Sequence, residues 1–439
     1  MPRFLLLSLV LSLFAFSAKG QGSAAVVVDA VSHAPLPGAS VFGRDGIAVG
    51  TCSAGGRLPA VSASAYPLIV RCIGYREQTV PSASCDTVFM EESVMQLPEF
   101  VVASRKHRVL HMLAYVREYS TLSSYTDTVT LFREKMVDFM LPASPDMRYR
   151  GWTKPRVLTS KSYYRFTDAA GLDSVSDRCN NHFSWADWVG VMPSAVTLPA
   201  RLRAASHARD TVRGRYQPSE LWSLKADRLM LDVDVMADTA GRRWVPSLST
   251  FFRRDVDFEQ FRIHFNYDNV VGDSVEPVDL AAYSFNIESR GRSHDVFMFH
   301  RADEPFFVST YAEVYMLDKE FITVREAREW EKRRYGAADI AIYEPQEAPE
   351  LSPPVLALID RVNALDHDAV RLDFTPDERL AGRHVEPQNF AGRLLQLLKD
   401  ATGISRARAN RKWRNNWRDF RRDQSARNKK NRPAEPEQK

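Results

Sequence analysis

The chain has 439 residues, 44% hydrophobic and 26% charged, with a net charge of +4. That length accommodates two or three domains. The composition is that of an ordinary globular protein, which excludes collagen-like, low-complexity and charge-extended disordered classes. No apolar run beyond the first twenty residues approaches the roughly 20 residues of a bilayer-spanning helix, so a polytopic helical membrane protein is excluded too.

The first segment, 1–20, has the form of a secretory leader. Arg3 supplies a short positive region, Phe4 to Phe16 is apolar, and Ser17-Ala18-Lys19-Gly20 places small residues before Gln21. This pattern predicts export, with cleavage before Gln21. The apolar run is too short for a comfortable membrane anchor. No cysteine follows it, which argues against a lipoprotein. Export permits disulfides among Cys52, Cys72, Cys85 and Cys179. Four cysteines allow three pairings, and Cys52–Cys72 and buried thiols are both open.

Residues 21–95 read as short strands between closely spaced turns, which predicts a small all-β sandwich. Val27-x-Asp29, Pro35-Leu36-Pro37-Gly38-Ala39-Ser40-Val41, Gly50-Thr51, Gly56-x-Leu58 and Ile73-Gly74-Tyr75 carry a resemblance. Together they resemble the carboxypeptidase-regulatory-like (transthyretin-like) β-sandwich, over about 70 residues. Ala25 and Ser53 depart from that pattern, standing where the family commonly has Gly and Asp. The resemblance implies an N-terminal module of an exported Gram-negative envelope protein and carries no catalytic residues. In TonB-dependent receptors a similar short β segment links such a module to the plug, which is the resemblance at 96–104. A full receptor barrel of about twenty strands needs more chain than this.

Residues 106–142 show Leu110, Leu113, Ala114 and Val116, then Phe132, Met136, Phe139 and Met140, at helical spacing. The spacing predicts helices there. Residues 155–345 then alternate apolar and polar positions and predict strands, with Arg290-Gly291-Arg292 as a hairpin turn. The run from Ser309 to Arg334 predicts strand, turn, strand, helix, and Thr323 with Glu326 forms a capping box. The region 105–343 is therefore expected to be an α+β domain with a large antiparallel sheet. A proline- and acid-rich linker (344–354), a helical segment (355–400) and a basic tail (401–439) complete the expected multidomain order.

Charge is unevenly placed. Between 401 and 433 twelve basic residues face two acids, a net of +10. There Trp413, Trp417 and Phe420 form one stripe of a helix among Arg411, Arg414 and Arg421. This basic amphipathic pattern suits an anionic membrane surface. Export removes nucleic acid as the partner. The alternative is a solvated tail docking its aromatics on its own domain.

Catalytic signatures are sparse. There is no GxSxG elbow, phosphate-binding glycine loop, HExxH or CxxC. His264, His294 and His300 fall on predicted strands, and His294 and His300 share parity near Asp295, Asp303 and Glu304. These are weak candidates for acid–base chemistry. His107 and His111 would share a helix face but lack a third ligand, so no metal site is assigned. Cys179 and His182 form a minor candidate thiol–imidazole pair. Trp185 and Trp188 could present a stacking platform for a glycan or protein partner, or close the core.

The expected protein is thus exported and non-enzymatic, associated with the periplasm or outer membrane, without a cofactor. An outer-membrane or envelope protein is its expected partner. The rivals are an envelope hydrolase and a surface glycan-binding protein.

Overall fold

The computed structural model describes residues 25–93, 108–124, 127–143, 147–168, 171, 173–179, 183–203, 205–214, 218–237, 244–245, 256–292, 305–333 and 340–365. Its N-terminal strands are β1 (Val26–Asp29), β2 (Ser40–Phe42), β3 (Ala48–Thr51), β4 (Leu68–Arg71), β5 (Gln78–Val80) and β6 (Thr87–Met90). β1 and β6 pair in parallel, and the other four form an antiparallel sheet ordered β3-β2-β4-β5. Val27, Val41, Leu68, Val70, Val80, Val88 and Met90 fill one shared core. Cys52, also buried there, has its thiol pushed up to about 12 by burial. None of the four cysteines forms a disulfide.

A ten-stranded antiparallel sheet follows. It contains β7 (Arg108–Ser123), β8 (Asp127–Pro142), β9 (Arg156–Asp168), β10 (Asp173–Ser176), β12 (His207–Arg213), β13 (Pro218–Lys225), β14 (Arg228–Asp234), β15 (Val256–Tyr267), β17 (Leu280–Arg292) and β18 (Pro305–Thr323). Their order is β10-β9-β8-β7-β18-β17-β15-β14-β13-β12. The short pair β11 (Val196–Thr197) and β16 (Ser274–Val275) lies apart. The helices among the described residues include α1 (Trp185–Trp188), α2 (Ala200–Arg203), α3 (Val324–Lys332) and α4 (Pro353–Asn363). Among the described residues strands take 51% and helices 12%, so the region expected to be α+β is mostly β there. The N-terminal strands and the large sheet fall within one compact unit.

The helices expected over 106–142 are instead the sixteen-residue strands β7 and β8. The physical reason is double coverage. Leu110, Met112, Ala114 and Val116 enter one core, while Val109 and Tyr115 enter others on the opposite side. A strand buried on both faces loses its polar–apolar alternation and becomes a near-continuous apolar run. Arg290, Gly291 and Arg292 are not a turn. They stay in β17, paired with Phe307, Phe306 and Pro305. The turn expected between two strands within 309–334 is absent: β18 runs unbroken, with a register shift between Met316 and Asp318. The capping box is present: Glu326 N–H donates to Thr323 Oγ1 at 3.2 Å, and Thr323 N–H donates to Glu326 Oε2 at 2.7 Å.

Parity sorts the sheet. On β14, β15 and β18, Leu231, Ile263 and Val314 point into the main core, whereas Asp232, His264 and Glu313 lie on the other face. The main core is roofed by residues 183–202, with Phe183, Trp185, Val189 and Val191 against the strands. The polar face meets the N-terminal module. Among the described residues no helix is long and apolar enough to cross a membrane.

Candidate functional site

The polar face and the module meet through a seam of buried charged and aromatic groups. Arg71 ends β4 and is 4% exposed. Its Nε donates to Glu77 Oε2 at 2.5 Å and its Nη1 to Tyr119 Oη of β7 at 2.8 Å. The guanidinium lies over the rings of Phe42 (5.2 Å) and Tyr119 (5.5 Å). Burial works against its charge, and Tyr119, Glu313 and Glu77 more than restore it. Glu313 in turn accepts from Tyr311 Oη at 2.8 Å and Tyr315 Oη at 3.2 Å.

The segment expected to be a linker is seated in this seam. Arg117 of β7, fully buried, donates to Glu344 and to the Pro349 carbonyl. Arg71 Nη2 donates to the Glu350 carbonyl at 3.3 Å. The stretch read by composition as a linker supplies counter-charge and acceptors here for two buried arginines.

The Ile73-Gly74-Tyr75 element has a physical account at the same seam. Tyr75 Oη donates to Asp29 Oδ2 at 2.9 Å, and Lys225 Nζ of β13 donates to the same oxygen at 2.8 Å. Burial alone would raise the Asp29 carboxyl, but Lys225, Ser32 and Tyr75 hold it well below the usual carboxylate range. Gly74 sits at φ +82°, and a Cβ there would lie 3.3 Å from Asn266 Nδ2 of β15. The glycine provides both a left-handed turn and close approach to the large sheet.

His264 lies on this polar face, with Nδ1 3.0 Å from Asp232 Oδ2. The contact lacks aligned hydrogen-bond geometry. Arg262 bridges Asp232 (3.1 Å) and Asp234 (3.3 Å). Burial raises the Asp234 carboxyl, only partly opposed by Arg262. A cavity of about 270 Å³ adjoins this group, lined by Pro35, Pro37, Cys72, Trp222, Met230 and His264 among others. The Cys72 thiol is pushed far above its ordinary range, by burial first and by Asp232 second, which keeps it protonated and a poor nucleophile. The Nε2 of His264 makes no hydrogen bond and abuts Gly38, where a Cβ would stand only 2.5 Å away. A base must reach its substrate's proton, and here the module's backbone occupies that approach.

His294 and His300 lie outside the described residues, so His264 is the histidine of that set with a described setting. Arg411, Trp413, Arg414, Trp417, Phe420 and Arg421 also lie outside them, as do His107 and His182. His111 is on β7, not a helix face, with Nδ1 2.9 Å from Glu320 and Nε2 3.2 Å from Asp138. Trp185 and Trp188 do not form a shared platform. Trp185 is fully buried and donates Nε1–H to Ser289 Oγ at 2.6 Å, while Trp188 is 37% exposed. Among the described residues no cluster of three His, Cys, Asp or Glu side chains is placed to hold a metal.

Arg71, Lys225, Arg117 and Glu313 were not singled out from sequence, and Asp29 entered only as part of the Val27-x-Asp29 element. The available signal was charge inside apolar runs, as in LIVR and AYVRE. A buried charge needs a partner, so such residues point to a paired seam.

No protein-family model matches the chain, and no curated protein matches it. Among solved structures, one described as "lipid-protein interactions in lipovitellin" aligns with 50% of this chain and 26% of its own, at 8% identity and a TM-score of 0.21. The chain thus spans about a quarter of that protein's length. A likeness at this level carries no argument about fold or function.

Proposed function

We propose that this is an exported, non-enzymatic cell-envelope protein, associated with the periplasm or outer membrane. In this reading a carboxypeptidase-regulatory-like sandwich serves as a structural and docking module. One observation carries the structural part. The charged and aromatic groups that the module presents to the sheet, Arg71, Asp29, Tyr75 and Phe42, are engaged within the chain rather than held open for a substrate. The leader-like pattern of residues 1–20 supports export. The basic aromatic tail supports contact with an anionic membrane surface. An outer-membrane or other envelope protein is the expected partner.

The test is expression of the full chain in a Gram-negative host, followed by fractionation and N-terminal sequencing. The expected result is envelope-fraction protein beginning at Gln21. Intact protein confined to the cytosol, with Met1 or Pro2 at its N-terminus, would overturn the reading. Removal of residues 404–439 is expected to lower membrane recovery at low salt, because polybasic attraction is screened by salt.

A further inference from the structure

On the opposite face of the large sheet, away from the module, lies a cavity of about 430 Å³. Its floor can be built from register. Tyr283 of β17 pairs with Val314 of β18, Val314 with Val116 of β7, and Val116 with Lys135 of β8. One row across four strands therefore runs from an aromatic ring through two valines to an ammonium. The adjacent row repeats the gradient: Phe285, Ala312, Glu118, Arg133. The cavity is apolar toward β17 and charged toward β8.

The roof is the segment carrying Ala186, Asp187, Val189 and Val191, met by residues 152–155. These two stretches touch at Gly190, where a Cβ would lie 2.6 Å from the Thr153 carbonyl and 2.5 Å from Lys154 Cβ. The cavity opens at the β9 side, where lining residue Val157 is 52% exposed and Lys154 is also exposed.

The charged end has a definite balance. Glu118 is fully buried, and its carboxyl is held at about 2 although burial opposes its charge, because Arg133 and Lys135 flank it. Lys135 Nζ lies 2.7 Å from Glu118 Oε2 and 3.4 Å from Asp187 Oδ1. Arg133 Nη2 donates to Glu118 Oε2 and Asp187 Oδ1, both at 2.7 Å. Among the described lining residues, Lys135, Lys154 and Arg156 are cationic and Asp187 alone is acidic. Asp187 already serves Arg133 and Lys135, and Arg156 is held by Asp138 at 2.6 Å. The net charge left at the mouth is positive, carried by Lys154.

We propose that this cavity binds a single-chain amphiphile with an anionic head. The chain would lie along Val116, Val314, Tyr283 and Phe285, and the head would sit at the mouth near Lys154. Two features select this class. The volume falls within the range of about 300–1,000 Å³ typical of small-molecule sites, and the lining is apolar with few polar groups at one end. The one ammonium left over at the mouth, that of Lys154, selects the sign of the head. Fatty acids and lysophospholipids share this chemistry.

The test uses the full chain and a dansyl-labelled undecanoic acid, with displacement by laurate, dodecyltrimethylammonium and lysophosphatidylglycerol below their micelle concentrations. Laurate is expected to displace the probe at concentrations at least about tenfold lower than the cation of equal chain length. The exposed substitution Lys154→Glu is expected to narrow that preference by about three- to fivefold without changing the fold. Val314→Phe, checked by circular dichroism, is expected to abolish binding by filling the floor. Better competition by lysophosphatidylglycerol than by laurate assigns a phospholipid source, and the reverse assigns a free acid. No displacement by laurate, equal displacement by the cation, or an unchanged preference in Lys154→Glu would each overturn the proposal.

Discussion

Gly38→Ala tests whether the module is fitted to the sheet atom against atom. Gly38 has φ +71°, and an added Cβ would stand 2.5 Å from His264 Nε2 and 3.0 Å from its Cε1. The ring has little room to swing away, since it is largely buried and its Nδ1 lies 3.0 Å from Asp232 Oδ2. Two costs therefore combine. A left-handed alanine costs roughly 1–2 kcal/mol. Overpacking a closed site costs about 1–3 kcal/mol more. Gly38→Ala alone should lose about 2–5 kcal/mol by urea unfolding at constant m. In a His264→Ala background the ring is gone, and the cost should fall to the conformational part plus the milder approach to Arg262 Cδ at 3.1 Å, leaving a coupling of about 1–3 kcal/mol. Gly56→Ala is the control. Its Cβ would meet the Val27 carbonyl inside the module at 2.5 Å, so its cost should not depend on residue 264. Equal costs for Gly38→Ala in both backgrounds would refute the seam as described.

Other outcomes follow from the same contacts. Arg71→Ala should cost about 3–5 kcal/mol, since it strips Glu77 and Tyr119 of a buried partner; urea midpoints check this. Lys319, on β18, has its ammonium lowered from 10.5 to about 8 by burial, only partly opposed by Asp279 and Asp268. The folded state then binds fewer protons than the unfolded one between those values, so wild-type stability should gain on that of Lys319→Met by up to about 3 kcal/mol as pH rises from 8 to 10.5. His111 shows the opposite sign. Burial disfavours its charge, but Asp138 and Glu320 raise it above 6.5 overall, so its contribution is full below pH 6.5 and fades as pH climbs through the raised value. The stability gap between wild type and His111→Phe should shrink over that rise. Trp185→Phe should cost about 1–3 kcal/mol in thermal or urea unfolding, by leaving Ser289 without its buried donor.

Legibility from sequence followed how each element is solvated. Helix α4 could be read over VLALIDRVN because one side of it faces water, with Leu356 47% exposed. Strands β7 and β8 could not, because both of their sides are covered and Met112 and Tyr115 are equally inaccessible. The short strands of 25–93 were visible through their turns, where Gly38, Gly46, Gly56 and Gly74 take positive φ. The seam was largely hidden. Arg71 and Glu350 are 279 positions apart, and nothing local in either sequence announces the other. His264 was found as a residue type, but its closure by Gly38 depends on packing between distant elements. The cavity on the other face was equally silent, since its gradient from Tyr283 to Lys135 exists only once four strands are in register.

The strap at 344–350 also constrains time. Ribosomes and export channels deliver a chain from its N-terminus, so the module's residues emerge first. Arg71 and Arg117 nevertheless find their last acceptors in Glu344, Pro349 and Glu350, close to the end of the described chain. Until that stretch arrives, two guanidinium groups destined for the interior must stay wet. The N-terminal strands share apolar residues of their own, but their charged contacts are complete only with that stretch. Folding is thereby made to wait for the far end of the chain, and contacts of such long sequence separation are slow to form. A nascent chain halted before residue 344 should therefore hold its two β layers apart, a state open to chaperones or partners that the finished protein excludes.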